Sequence, residues 1–335
     1  MISNLNFQRL DLNDKWDTVT DFGKKTLAKM ATTTLGDDNP FGLLIGKANN
    51  NPSELQLIYE NHRVSRNRQQ SAKILSEDFA GWSVDNILAR LDGPGKKEGF
   101  VDPRNCLVIW ARPPAHVRQI IRFVQDELKS VAPALWLMPL ENLHTTVLEV
   151  AHSLTESEIA LLVQTLQSST AVQPSQISSY PIAHPTRLIK PMVSFDSAAL
   201  ALSFVPAATG DSAQSYTYHH LRRDIWDLVR QADLPVASRY VVPSAHVTVA
   251  RFISQDGFTA EGEDGADKVD KSRVETFIEK ISEINRKLED EYWPGQDSVG
   301  DGSEWVVGRE GLVIRRGRLW YGGGEDVPLE EERSL

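Results

Sequence analysis

Residues 244–252 read SAHVTVARF, a run that alternates apolar and polar side chains and holds one histidine, His246. Alternation with period two marks a strand, and on a strand residues i and i+2 share a face. His246 and Thr248 therefore stand together, while Ala245, Val247 and Val249 turn the other way. Arg251, which follows the motif, could bind a phosphate, but the same parity sends it to the face opposite His246, where a structural ion pair is the competing role. Taken alone, the stretch describes a buried strand with a satisfied histidine.

A second stretch changes that reading. Residues 143–147 are LHTTV, which sets His144 beside Thr146 on one strand face. The contexts match as well. In the first half NCLVIWARP reads as a strand and PAHVRQIIRFVQDELKSV as a helix, with Val117, Ile120, Ile121, Val124 and Leu128 at helical spacing; LWLMPLENLHTTVLEV is again strand-like. In the second, RLIKPMVSFDSAALALSFVP reads as a strand pair, YTYHHLRRDIWDLVRQADL as an amphipathic helix and SRYVVPSAHVTVARFIS as a strand. Each half closes on His-x-Thr-Val, and the repeated order implies an internal duplication.

If a pseudo-twofold axis relates the halves, the two His/Thr pairs converge on one cleft. Two imidazoles facing each other suit acid-base chemistry near neutral pH, one taking a proton while the other delivers one. Two hydroxyls beside them can donate to the nonbridging oxygens of a phosphate. The reaction this suits is in-line attack on a phosphodiester, and it requires no metal and no cofactor.

These motifs resemble those of the 2H phosphoesterase superfamily, which includes 2'-5' RNA ligase/phosphodiesterase proteins and cyclic-nucleotide phosphodiesterases. The family is defined by two H-x-[T/S]-hydrophobic motifs, matched here by HTTV at 144–147 and HVTV at 246–249. The resemblance covers roughly residues 103–322 and extends to the Ala and Arg that follow the second motif. Ala245 departs from it, standing where many members have proline. The resemblance implies an α/β (α+β) bilobal fold, with two pseudo-symmetric lobes of antiparallel or mixed sheet, helices outside and a central cleft. It implies His144 and His246 as the acid/base pair and Thr146 and Thr248 as phosphate ligands. The implied substrates are 2',3'-cyclic phosphates of nucleotides or RNA ends, opened to a 2'-phosphate. Related substrates are 2',5'-oligonucleotides or RNA 3' ends, and a noncatalytic nucleotide or RNA-end binding module is the alternative of a different class.

Other candidates carry less. His184 in AHPTR has the His-x-Thr spacing, but Pro185 disfavours a central strand and Arg187 replaces the hydrophobic position. Tyr240, Trp320 and Tyr321 are candidates to stack on a base, with core packing the competing role. The run RRGR at 315–318 reads as the solvated turn of a closing hairpin within EGLVIRRGRLWYGGG. No H-E-x-x-H or clustered ligand spacing favours a metallohydrolase.

LDGPGKKEG marks a boundary near residue 98. Residues 1–98 read as a mostly helical extension or subdomain, and 99–335 as the phosphoesterase-like domain, with halves at about 103–170 and 185–322. The formal charge of −10 argues against extended duplex binding, which needs many cationic contacts, but leaves room for a small phosphorylated ligand. The single cysteine, Cys106, excludes an internal disulfide. The N-terminus lacks the zones of a secretory signal, and no apolar run approaches the roughly 20 residues that span a bilayer. A monomeric protein of the cytoplasm or nucleus, without a membrane partner, is expected.

Overall fold

The computed structural model describes residues 39–208, 216–237, 241–261, 267–294 and 304–329. It is a mixed α/β structure, with eight helices among the described residues and an antiparallel sheet curled into a half-barrel.

The chain opens with helices α1 (Pro40–Lys47) and α2 (Pro52–Ile74). Each starts on an asparagine cap followed by proline: Asn39 accepts from the Phe41 amide, and Asn51 from those of Ser53 and Glu54. A short helix, α3 (Leu88–Leu91), precedes strand β1 (Asn105–Ala111). Then come α4 (Ala115–Val131), β2 (Trp136–Leu137) and β3 (Thr145–Leu154). The apolar stripe read in the sequence of α4 is its buried face. Helix α5 (Glu156–Ser168) starts on a capping box of Thr155 and Glu158, and α6 (Pro174–Ala183) follows. The second half contains the hairpin β4 (Thr186–Phe195) and β5 (Ala199–Pro206), helix α7 (Tyr218–Gln231) and strand β6 (Ala245–Arg251). A small hairpin, β7 (Thr259–Glu261) and β8 (Asp267–Val269), leads to α8 (Lys271–Tyr292), then β9 (Trp305–Val307), β10 (Val313–Gly317) and β11 (Glu325–Asp326).

The strand order is β11-β10-β1-β3-β6-β5-β4-β9, with β2 also on β6. The two histidine-bearing strands are central neighbours. Each has an earlier strand of its own half on its outer side, β1 beside β3 and β5 beside β6, and one helix, α4 or α7, lies between the two in sequence. The strand-helix-strand repeat read in the sequence is thus present, with every neighbour in the main sheet antiparallel.

Several local readings change. The stretch from 75 to 87 is not helical. The closing hairpin does not turn at Arg316 and Gly317: Arg315 and Arg316 are paired strand residues, and the turn occupies 318–324. Gly322, at φ +87°, fits there because a Cβ would lie 2.2 Å from the Asn142 side chain. Asn39 opens a compact unit comprising the rest of the chain. Residues before 98 share its main core: Phe41, Tyr59, Trp82 and Leu88 pack in the same cluster as Leu107, Val147 and Val247. Residues 1–38 lie outside the described residues.

Candidate active site

Strands β3 and β6 run antiparallel with Thr145 opposite Val247. His144, just before β3, and Thr146 flank Thr145 as His246 and Thr248 flank Val247. Burial follows the parity: His144, Thr146, His246 and Thr248 are partly open, whereas Thr145, Val147, Ala245, Val247 and Val249 are buried. All four residues singled out in the sequence line one cleft, open to solvent.

Strict alternation ends at the last residue of each motif. Trp110 pairs with Thr146, but Ile109 pairs with Leu148, so β3 has one extra residue, Val147. Likewise Ala201 pairs with Thr248 while Leu200 pairs with Ala250, so Val249 is extra on β6. These are β-bulges at equivalent positions, and each reverses the facing of the residues beyond it. Arg251 therefore joins His246 and Thr248 on the cleft face, contrary to the sequence expectation, and Glu149 joins His144 and Thr146.

A bulge frees backbone groups that must find partners when buried. The Val147 carbonyl accepts from Arg222 Nε of α7 at 3.1 Å, and the Val249 carbonyl accepts from Gln125 Nε2 of α4 at 2.9 Å and from the Met138 amide. Corresponding helices thus supply one side chain each, Arg222 and Gln125, both buried.

The histidine rings are anchored in parallel ways. His144 Nδ1 lies 2.7 Å from the Asn142 carbonyl, and His246 Nδ1 lies 2.9 Å from Ser244 Oγ, so each is held by the residue two positions before it. A carbonyl only accepts, which places a proton on Nδ1 of His144 and leaves Nε2 as the basic nitrogen of the neutral ring. The Ser244 hydroxyl can donate or accept and leaves either tautomer open to His246. His144 also stacks on Trp110, with centroids 3.7 Å apart and planes 12° from parallel.

Burial pushes His144 down to about 3, helped by Arg112 and opposed by the Asn142 carbonyl. It pushes His246 down to about 4, with Arg222, Arg66 and Arg251 acting in the same direction. Both rings are neutral at pH 7 in the free protein, and an anion seated between them would raise both.

One cleft wall is apolar: Cys106 and Val108 from β1, Trp110 and Leu319 pack together, with Trp320 against them. Trp320 thus borders the cleft and is stacked by the Arg104 guanidinium at 4.4 Å. Tyr321 is engaged elsewhere, donating to Asp85, and Tyr240 lies outside the described residues. His184 is the C-cap of α6, stacked on Tyr180 away from the cleft. Buried His219 bonds Tyr59 and the Phe41 carbonyl, joining the N-terminal helices to α7. Among the described residues no group of three or more His, Cys, Asp or Glu side chains could hold a metal ion, and no helix is long and apolar enough to cross a membrane.

No family model matches the chain, and no curated protein matches it. A crystal structure of a conserved protein of unknown function from Agrobacterium tumefaciens str. C58 is similar at 8% identity, with 78% of this chain and 98% of that chain covered and a TM-score of 0.44.

Proposed function

We propose that the protein is a metal-independent phosphodiesterase that opens 2',3'-cyclic phosphates of nucleotides or RNA ends, and that its two strand-helix-strand halves are the lobes of a 2H phosphoesterase fold. The observation that carries this reading is the meeting of two His-x-Thr pairs, about a hundred residues apart in sequence, on one face of adjacent strands in a single cleft.

In the mechanism, Thr146 and Thr248 donate to the nonbridging oxygens, and Arg251 adds positive charge on the His246 side. The bound anion raises both imidazoles, so that one takes up a proton. The neutral ring accepts a proton from water through Nε2 as the water oxygen bonds to phosphorus. The protonated ring delivers its proton to the departing ribose oxygen as that P–O bond breaks. The product is a phosphomonoester, assigned as the 2'-phosphate, and the rings exchange protonation states and reset through solvent.

The test is turnover by purified protein in EDTA, with 2',3'-cyclic nucleotides, 2',5'-linked dinucleotides and an RNA with a cyclic end offered in parallel. Cyclic phosphates are expected to be opened fastest. Preference for a 2',5' linkage would move the assignment to an oligonucleotide phosphodiesterase, binding without turnover would make the protein a binding module, and EDTA-sensitive turnover would point to a metallohydrolase.

A further inference from the structure

Arg251 is connected to a part of the chain that lies outside the two-motif resemblance. The segment around Trp82–Leu88 runs along the end of β6. The Asp85 amide donates to the Phe252 carbonyl at 2.8 Å, the Ser83 amide donates to the Ser197 carbonyl at 2.8 Å, and Trp82 stacks on Phe252 with centroids 4.0 Å apart. These contacts hold Asp85 beside the residue that follows Arg251.

The Asp85 carboxylate is fixed in turn. Oδ1 accepts from Tyr321 Oη at 2.8 Å and from the Leu88 amide at 3.0 Å. Oδ2 is left facing Arg251 Nη1 at 3.5 Å, with the Arg251 guanidinium 5.7 Å from the Tyr321 ring. The Asp85 contact engages only Nη1 of the guanidinium. Arg251 Nε is buried and has no hydrogen-bond partner. A buried, unpaired guanidinium N–H is costly, and a phosphate oxygen is a matching acceptor.

We propose that Asp85 is a positioning residue for the phosphate site: it holds Arg251 through Nη1 so that the guanidinium stays at the cleft wall, within reach of a bound anion. Residues 82–88 are on this account a structural part of the site. The inference rests on the cleft being a phosphate site, and Asp85 itself touches no substrate.

The test is a double-mutant cycle on the full chain with D85A, D85N, R251A and D85A/R251A. Binding of uridine 2'-monophosphate is measured by calorimetry, and kcat and KM are measured on uridine 2',3'-cyclic phosphate. D85A is expected to weaken binding about five- to tenfold and to raise KM more than it lowers kcat, and D85N, whose single amide oxygen keeps Tyr321 and Leu88 but turns an NH2 toward Arg251 in place of Oδ2, is expected to lose about as much. In the R251A background D85A is expected to cost nothing further. An equal loss in both backgrounds, or D85A binding as tightly as wild type, overturns the positioning role even if turnover is normal. Nonadditive binding in a protein that turns over no cyclic phosphate would instead uphold the coupling and refute the proposed reaction.

Discussion

On β3 the sequence HTTVLE, and on β6 the sequence HVTVAR, present a histidine, then a threonine two residues on, then a charged residue three further on to the same cleft. The charged residue is Glu149 in one strand and Arg251 in the other. Because the strands are antiparallel, these two charges diverge toward opposite ends of the cleft. The backbone device is the same in both, a bulge at the last valine of the motif with its carbonyl taken by a helix side chain. The histidine anchors differ modestly, a carbonyl against a hydroxyl. Shared geometry fixes the reacting centre, while the unlike charges make its two sides chemically distinct.

The largest test of this comparison is removal of each ring. H144A and H246A are each expected to lower kcat by about 10²–10⁴-fold on a cyclic nucleotide, because in the proposed mechanism each supplies a different proton transfer. Near-normal turnover by either variant would break the functional equivalence of the strands. The charges come next. R251A is expected to lower kcat/KM about 10–100-fold, as for loss of a charge-assisted hydrogen bond of about 1.5–3 kcal/mol, whereas E149Q is expected to stay within about threefold. Comparable losses would mean that both ends of the cleft hold the substrate equally.

The bulge supports can be compared directly. Q125L leaves a buried carbonyl short of a donor and is expected to cost about 1–3 kcal/mol in urea unfolding. R222M does the same at the other bulge and also removes a cation that lowers His246, so His246 is expected to titrate higher by NMR while Q125L leaves both rings in place. Acid stability tests the burial of the rings themselves. The unfolded histidines take up protons near 6.5, whereas folded His144 and His219 hold to about 3 and His246 and His220 to about 4, with burial the main cause in all four. The unfolded state therefore binds more protons between these values. The neutral rings contribute their full stabilisation above pH 6.5 and lose it as pH falls toward 4, by up to about 1.4 kcal/mol per histidine per pH unit. Urea midpoints measured from pH 7 to pH 4 are expected to fall, and a flat profile would contradict the burial of these rings.

The duplicated order, the α4 stripe and the four His and Thr residues were legible in the sequence because period-two and period-3.6 patterning acts locally. What lay beyond Thr146 and Thr248 was not. The bulges depend on Arg222 and Gln125, far away in the chain, and strict alternation therefore placed Arg251 on the wrong face. The final turn was misplaced for a similar reason: Gly322 is fitted to Asn142, a tertiary neighbour that local turn chemistry does not reveal. Asp85 gave no signal because its role is defined by Phe252, Tyr321 and Arg251, all remote in sequence.

The central claim is that His144 and His246 clamp one phosphate. It is tested most directly by titrating a nucleoside 2'-monophosphate into protein labelled with nitrogen-15 at histidine and following both imidazoles by NMR. Both are expected to shift together toward the protonated state with a single dissociation constant. Two unrelated binding curves, or a response from only one ring, would contradict it.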